Sequence, residues 1–238
     1  MQSQKETVAN GRLSVASGAT SRSRPSPYSR AMSDAAARPA PSTLVIACGA
    51  LAREFMAVVE RNGWSNLTIT CLPASWHNRP ERIPEGVRRK IRAARGRYDR
   101  VVVLYGDCGT GGVLDQVLAE EGVERIPGPH CYEFFAGPQA FDQLMEEEPG
   151  SFFLTDYMVR HFDRLIIQGL ALDRHPELRD AYFGNYRRLV YLSQIEDPRL
   201  AAKARAAADR LGLAFEHRHT GYGVFQPFLA RQAEVAHG

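Results

Sequence analysis

The sequence predicts an α/β fold, with a mostly parallel β-sheet covered by helices and a more helical second half. Three observations carry this. From residue 43 onward, short apolar runs alternate with amphipathic stretches. The runs are apolar on both faces, as in strands buried between helix layers. Each early run ends in glycine, proline or a polar cluster, as in "IACGAL", "CLPASWHN" and "LYGDCGTGG", where a strand hands over to a helix.

"TLVIAC" (43–48) reads as a buried strand. Gly49 breaks it, and Leu51, Phe55, Val58 and Val59 recur at helical spacing until Asn62-Gly63 stops the helix. "LTITCL" (67–72) is the next strand, followed by the proline-punctuated loop "PASWHNRPERIP" and a basic helix, "EGVRRKIRAARG". "RVVVLY" (100–105) is the third strand, with "GGVLDQVLAEEG" as its helix, and Pro127-Gly128-Pro129 then forces a loop. In the second half, "SFFLTDYMVRHFDRLIIQGLAL" (151–172) has the wide apolar face of a helix, capped by Ser151 or Thr155. A strand is expected near "RLVYLSQI". "DPRLAAKARAAADRLGL" is an amphipathic helix with Asp197 as N-cap, Pro198 at its first position and Gly212 at its end. "AFEHRHTGYG" closes as strand and turn. Right-handed crossovers place the loops after each strand on one sheet edge, where open α/β sheets bind ligands.

Charge narrows the function. The chain has a formal charge of +3, but residues 1–40 carry six basic and two acidic side chains, so the remainder is slightly acidic. The basic character belongs to the first 40 residues, which argues against a nucleic-acid partner. That segment, rich in Ser, Ala, Arg and Pro, is expected to be a disordered extension, leaving 41–238 as a single α/β domain. Its composition resembles an organellar presequence, although a flexible extension or translation from Met32 explains it more simply. No apolar run approaches the ~18 residues of a membrane span. Four cysteines without a secretory signal argue against a disulfide framework. The reading is a cytoplasmic protein whose partner is a small molecule rather than a membrane.

Three of the cysteines fall where the loops after strands should gather: Cys48 in "IACGAL", Cys108 in "YGDCGTGG" and Cys131 in "GPHCYEF". Thiolates converging from separate loops are the soft donor set that zinc or an iron–sulfur cluster prefers. His130 or His77 would add an imidazole. Cys71, inside a strand, is expected to fill core space. Thr110, Gly111 and Gly112 fit neither of the phosphate-loop spacings, yet at a helix N-terminus they offer N–H groups to a small anion. Asn78 and Arg79, in "HNRPERI", suit substrate or anion contact. Asp107, beside Cys108, is a candidate base, as is Glu133, on the face of Cys131 if that segment is extended. Asp156 and His161 are expected to be structural. His217 and His219 share a strand face, a metal pair without an evident third ligand.

The stretches "IACGAL", "HNRPERI", "LYGDCGTGG", "GPHCYEFF", "EEPGSFFLTDYMVRHFD", "LDRHPELRDAYFGNYRRLVYL" and "TGYG" together resemble the bacterial and archaeal domain-of-unknown-function family 1638, over nearly all of residues 43–223. The resemblance implies no settled activity. It does imply an association with corrinoid-dependent methyltransferase systems, and so a role in methyl transfer or one-carbon metabolism with a corrinoid carried by a partner protein. Thiolate–metal sites suit that chemistry, because a Lewis-acidic metal holds a thiol as a nucleophile. The expectation is therefore a Cys/His metal site acting in corrinoid-linked methyl transfer, as enzyme or accessory. Two alternatives stand beside it. One is a non-catalytic module docking on a corrinoid protein through aromatic residues 152–191. The other is a metal-free small-anion-binding enzyme.

Overall fold

Strand β1 (Thr43–Cys48) is buried along its whole length because it has a neighbour on either side and helices over both faces. In the computed structural model, which describes residues 41–234, β1 pairs in parallel with β2 (Leu67–Leu72) and with β3 (Arg100–Leu104). The two-residue β4 (Glu124–Arg125) joins the far side of β3, giving the order β2-β1-β3-β4. The expected extension over residues 1–40 lies outside the described residues.

The connecting helices form as their periodicity predicts. Helix α1 (Ala52–Asn62) stops at Gly63, whose left-handed φ of 66° lets its N–H reach the Val59 and Glu60 carbonyls. Helix α2 (Ile83–Ala94) buries Ile83, Val87, Ile91 and Ala94 along one stripe. Part of its basic face is neutralised internally: Glu121, at the end of α3 (Val113–Glu121), meets Arg88, Arg92 and Arg95 at 3.3, 2.8 and 2.6 Å.

The second half departs from expectation. The apolar run at 151–172 is not one helix. Ser151–Thr155 form strand β5, Asp156–Arg160 a short helix and Asp163–Ile167 a π-helical turn. Strand β5 pairs in parallel with β6 (Arg188–Ser193), and β6 with β7 (Ala214–His219), giving a separate three-stranded sheet rather than an extension of the first. Phe153 faces one helix layer and Leu154 the other, so a strand buried on both faces carries the same unbroken apolar run as a buried helix.

Helices α4 (Cys131–Ala136) and α5 (Pro138–Glu147) link the sheets. The short helix Asp156–Arg160 is α6, Arg179–Phe183 is α7, and α8 (Pro198–Leu211) forms as expected, with the Asp197 carboxylate accepting from the Arg199 N–H at 2.9 Å. That cap contributes about 1 kcal/mol. Helix α9 (Phe225–Glu234) returns the chain to the first sheet, where Phe225, Phe228 and Leu229 join its core. Both sheets are therefore parallel and helix-covered, and each has its own core.

The sheets meet at their C-terminal edges. Helix α6, which follows β5, touches the turn Gly49–Leu51, which follows β1. A cleft between them is lined by Ala50, Ala74 and His77 from the first half and by Thr155, Tyr157 and Met158 from the second. Among the described residues, no helix is long and apolar enough to cross a membrane.

Candidate functional site

Cys48 ends β1 buried, and its Sγ accepts the Ala50 N–H at 3.3 Å. Cys108 sits in the loop after β3, half-buried, with φ of 50°. A non-glycine residue in the left-handed region costs about 1–3 kcal/mol, and such strain concentrates where the side chain has a job. Two hydrogen bonds hold the loop against the next segment: the Asp107 N–H donates to the Gly128 carbonyl (3.3 Å) and the Cys108 N–H to the Pro129 carbonyl (2.9 Å). Gly106 makes this approach possible, since a Cβ there would lie 2.7 Å from the Pro129 oxygen. The same contact brings Cys131, the first residue of α4, alongside Cys108.

The result is one small cavity lined by Cys48, Cys108 and Cys131 together with His77, Tyr105 and Phe134. Its volume is about 10 Å3, room for roughly one water-sized body. Three of the cysteines expected to converge do so, and Cys71 packs against the first core as expected. As folded, no three His, Cys, Asp or Glu side chains among the described residues are arranged to hold a metal ion.

The electrostatics are those of protonated thiols. Burial pushes Cys48 up to about 12 and Cys108 up to about 11, and it raises Cys131 well above the ordinary thiol range. The neighbouring thiols reinforce this: Cys108 raises Cys48, and both raise Cys131. The Tyr105 hydroxyl lies beside Cys48, and burial raises its pKa strongly. It is nevertheless a buried oxygen with no hydrogen-bond partner of good geometry among the described residues. The cavity is thus a ring of neutral soft donors with one polar group left unsatisfied.

His77 stands between this cavity and the cleft, lining both. Its Nδ1 lies 3.0 Å from the Ala74 carbonyl and 3.8 Å from Cys48 Sγ. A carbonyl only accepts, so Nδ1 carries the proton and Nε2 keeps its lone pair. The ring is exposed toward solvent on one side, but the protein around it lowers its pKa by desolvation, against the Ala74 hydrogen bond.

The other expected residues are placed differently. His130 is the exposed N-cap position of α4 and does not line the thiol cavity. The anion seat at Thr110, Gly111 and Gly112 is already taken. The Asp107 carboxylate accepts from Thr110 Oγ1 at 2.7 Å, the Gly111 N–H at 3.1 Å and the Gly112 N–H at 2.8 Å. Those bonds, led by Thr110, hold Asp107 below the usual carboxylate range, which suits a loop clamp rather than a base. Glu133 lies on a helix, not a strand, and its carboxylate rests against Gly128. It lines neither cavity, and neither does Arg79, whereas Asn78 lines the cleft. His217 Nε2 and His219 Nδ1 do share a face and meet at Ser193 Oγ, at 2.9 and 3.0 Å. The serine, with one proton, donates to one imidazole and accepts from the other.

A buried polar group that sequence reading missed lies where the halves touch. Glu54 on α1 is only 4% exposed, and its Oε2 has no partner among the described residues. Burial raises its pKa, and nearby Asp156 raises it further, while Arg160 opposes them. Asp156 is structural, as expected: it is buried, accepting from the Tyr191 hydroxyl at 2.6 Å and the Gln194 N–H at 3.2 Å. Nothing in "AREFMAVVERN" marks Glu54 out, because Asp156 and Arg160, which act on its carboxyl, lie on α6, more than ninety residues away in sequence.

Fold and site together define a two-sheet α/β protein with a thiol-lined cavity at the edge where its sheets meet. The chain belongs to the family described as protein of unknown function (DUF1638), whose pattern matches residues 71–229. The match takes in His77, Cys108 and Cys131, while Cys48 lies ahead of it. No curated protein matches the chain.

Proposed function

We propose that this protein binds a single soft metal ion, zinc foremost, through Cys48, Cys108 and Cys131 with His77 beside them, and acts with it on a small molecule held in the cleft. The observation that carries the reading is that three cysteines from three separate loops line one cavity with an imidazole at its mouth. Cavity size favours one ion over an iron–sulfur cluster, because the space admits roughly one water-sized body. Donor chemistry favours zinc, which takes sulfur and nitrogen ligands. Loading requires the thiols to lose their protons and turn inward about χ1, since they are not arranged for an ion as folded.

Such an ion supplies Lewis acidity and lowers the pKa of a bound thiol or water. The residues of this chain do the rest. Phe134 and Tyr105 wall the cavity, and the neutral His77 offers Nε2 to a proton arriving from the cleft. We propose methyl transfer in corrinoid-linked one-carbon metabolism as its use, as enzyme or accessory, with the corrinoid carried by a partner. The support is chemical: a thiolate-bound metal is suited to presenting a sulfur nucleophile to a methyl group.

The docking-module alternative is less favoured by the packing. Phe152 packs on Phe183 and Tyr186 at 5.2 and 5.5 Å, and Tyr191 is buried, so those aromatics serve the second core. The metal-free anion reading loses its seat to Asp107. The test is elemental analysis of protein purified anaerobically, with Cys108→Ser as control. About one metal ion per chain, lost in the variant, is expected. Protein without metal, unaffected by the change and unable to take up zinc, overturns the proposal.

A further inference from the structure

The cleft above the thiols has a chemistry of its own. Its cavity is about 140 Å3 in volume and shares Ala50, His77 and Cys131 with the thiol cavity below. A dry apolar cavity of about 150 Å3 takes a benzene-sized molecule. Its outer wall is apolar: Tyr157 and Met158 come from α6, and Leu165 and Ile166 from the π-helical turn. Such turns recur at functional sites because the extra residue re-aims the side chains around it.

Polarity selects the ligand further. Among the described residues, no Lys, Arg, Asp or Glu lines the cavity. A charged ligand would leave water without a counter-charge, which is costly. Ser75, Asn78 and Thr155 offer neutral polar groups. The Tyr132 hydroxyl is already spent, donating to Met158 Sδ at 3.4 Å. The soft side of the cavity is therefore the floor, where Cys131 and His77 adjoin the thiols.

Resting on the metal reading above, we propose that the cleft binds a neutral, benzene-sized molecule bearing a thiol or thioether, its apolar body against Tyr157, Met158, Leu165 and Ile166 and its sulfur toward Cys131 and His77.

The experiment is calorimetric titration of the metal-loaded full chain with 1-propanethiol and with 3-mercaptopropionate, which adds a carboxylate. 1-Propanethiol should bind at least about tenfold more tightly. Met158→Glu, checked for metal content and melting temperature, should lose that preference. Metal-loaded protein that binds the two equally, or prefers the carboxylate, overturns this inference and leaves the metal reading standing. Metal-free protein is titrated in parallel with benzene and benzoate. A chain that takes up no metal yet prefers benzene overturns the metal reading and the sulfur orientation but supports the neutral cavity. Equal binding of benzene and benzoate overturns the neutral cavity as well.

Discussion

Zinc uptake by this protein should release about three protons per ion even at pH 9. With Cys108 near 11, Cys48 near 12 and Cys131 well above the usual range, all three thiols remain almost wholly protonated there. A zinc ligand must be the thiolate, so each thiol gives up its proton on binding. His77, kept neutral by desolvation, contributes none. Three ordinary exposed thiols with pKa about 8.5 would already be largely ionised at pH 9 and would release roughly 0.7 protons in total. The same linkage makes affinity climb with pH: three protons correspond to about 4 kcal/mol per pH unit, nearly a thousandfold, up to the lowest of the raised values. The assay is calorimetry at pH 9 in two buffers of different ionisation heat, with zinc delivered from a chelator of known proton uptake. A release near three supports a buried three-thiol site. A release below about one would rule out a buried three-thiol site, because the metal would then be sitting on exposed or already ionised groups.

Two further perturbations test the frame that builds the cavity. Gly106→Ala places a Cβ 2.7 Å from the Pro129 oxygen, and it should cost about 1–3 kcal/mol and pull Cys108 away from Cys131. A variant with unchanged melting temperature and zinc affinity would show that the loop contact does not position the thiols. Glu54→Gln addresses the carboxyl buried where the halves touch. Burial raises its folded pKa above 4.5, so the folded state prefers the neutral form. The stability this gives is complete at pH below 4.5 and is lost as pH rises through the folded value. The glutamine variant should therefore melt higher than the parent at pH 8, with the difference closing toward pH 4. A lower melting temperature at pH 8 would mean that the carboxylate is held charged by Arg160.

The legible parts of this molecule were those decided locally. β1 to β3 and their helices follow from apolar runs and stop signals, and α8 from Asp197, Pro198 and Gly212, because each feature lies within a few residues of what it controls. Three cysteines could be placed at one edge because parallel topology fixes where loops gather. What stayed hidden was set by distant partners. β5 becomes a strand because β6, more than thirty residues later, offers it an edge, and only that pairing separates it from the helix the apolar run suggests. The extended reading of "CYEFF" failed for a related reason. So short an apolar segment has no decisive period, and here it forms helix α4, with Glu133 against Gly128 and outside the lining of the thiol cavity. Asp107 misled because an isolated carboxylate reads as chemistry, whereas the three donors it clamps follow it within five residues.

Cobalt substitution reads out whether Cys48, Cys108 and Cys131 bind one ion together. Anaerobic Co2+ titration of the full chain and of the three single Cys→Ser variants reads the sulfur-to-cobalt charge-transfer band. The parent should saturate at about one ion per chain with a tetrahedral thiolate spectrum. Each serine variant should lose part of that band and bind more weakly. A band absent from the parent, or unchanged when any one of the three cysteines is replaced, would show that the three thiols do not share an ion.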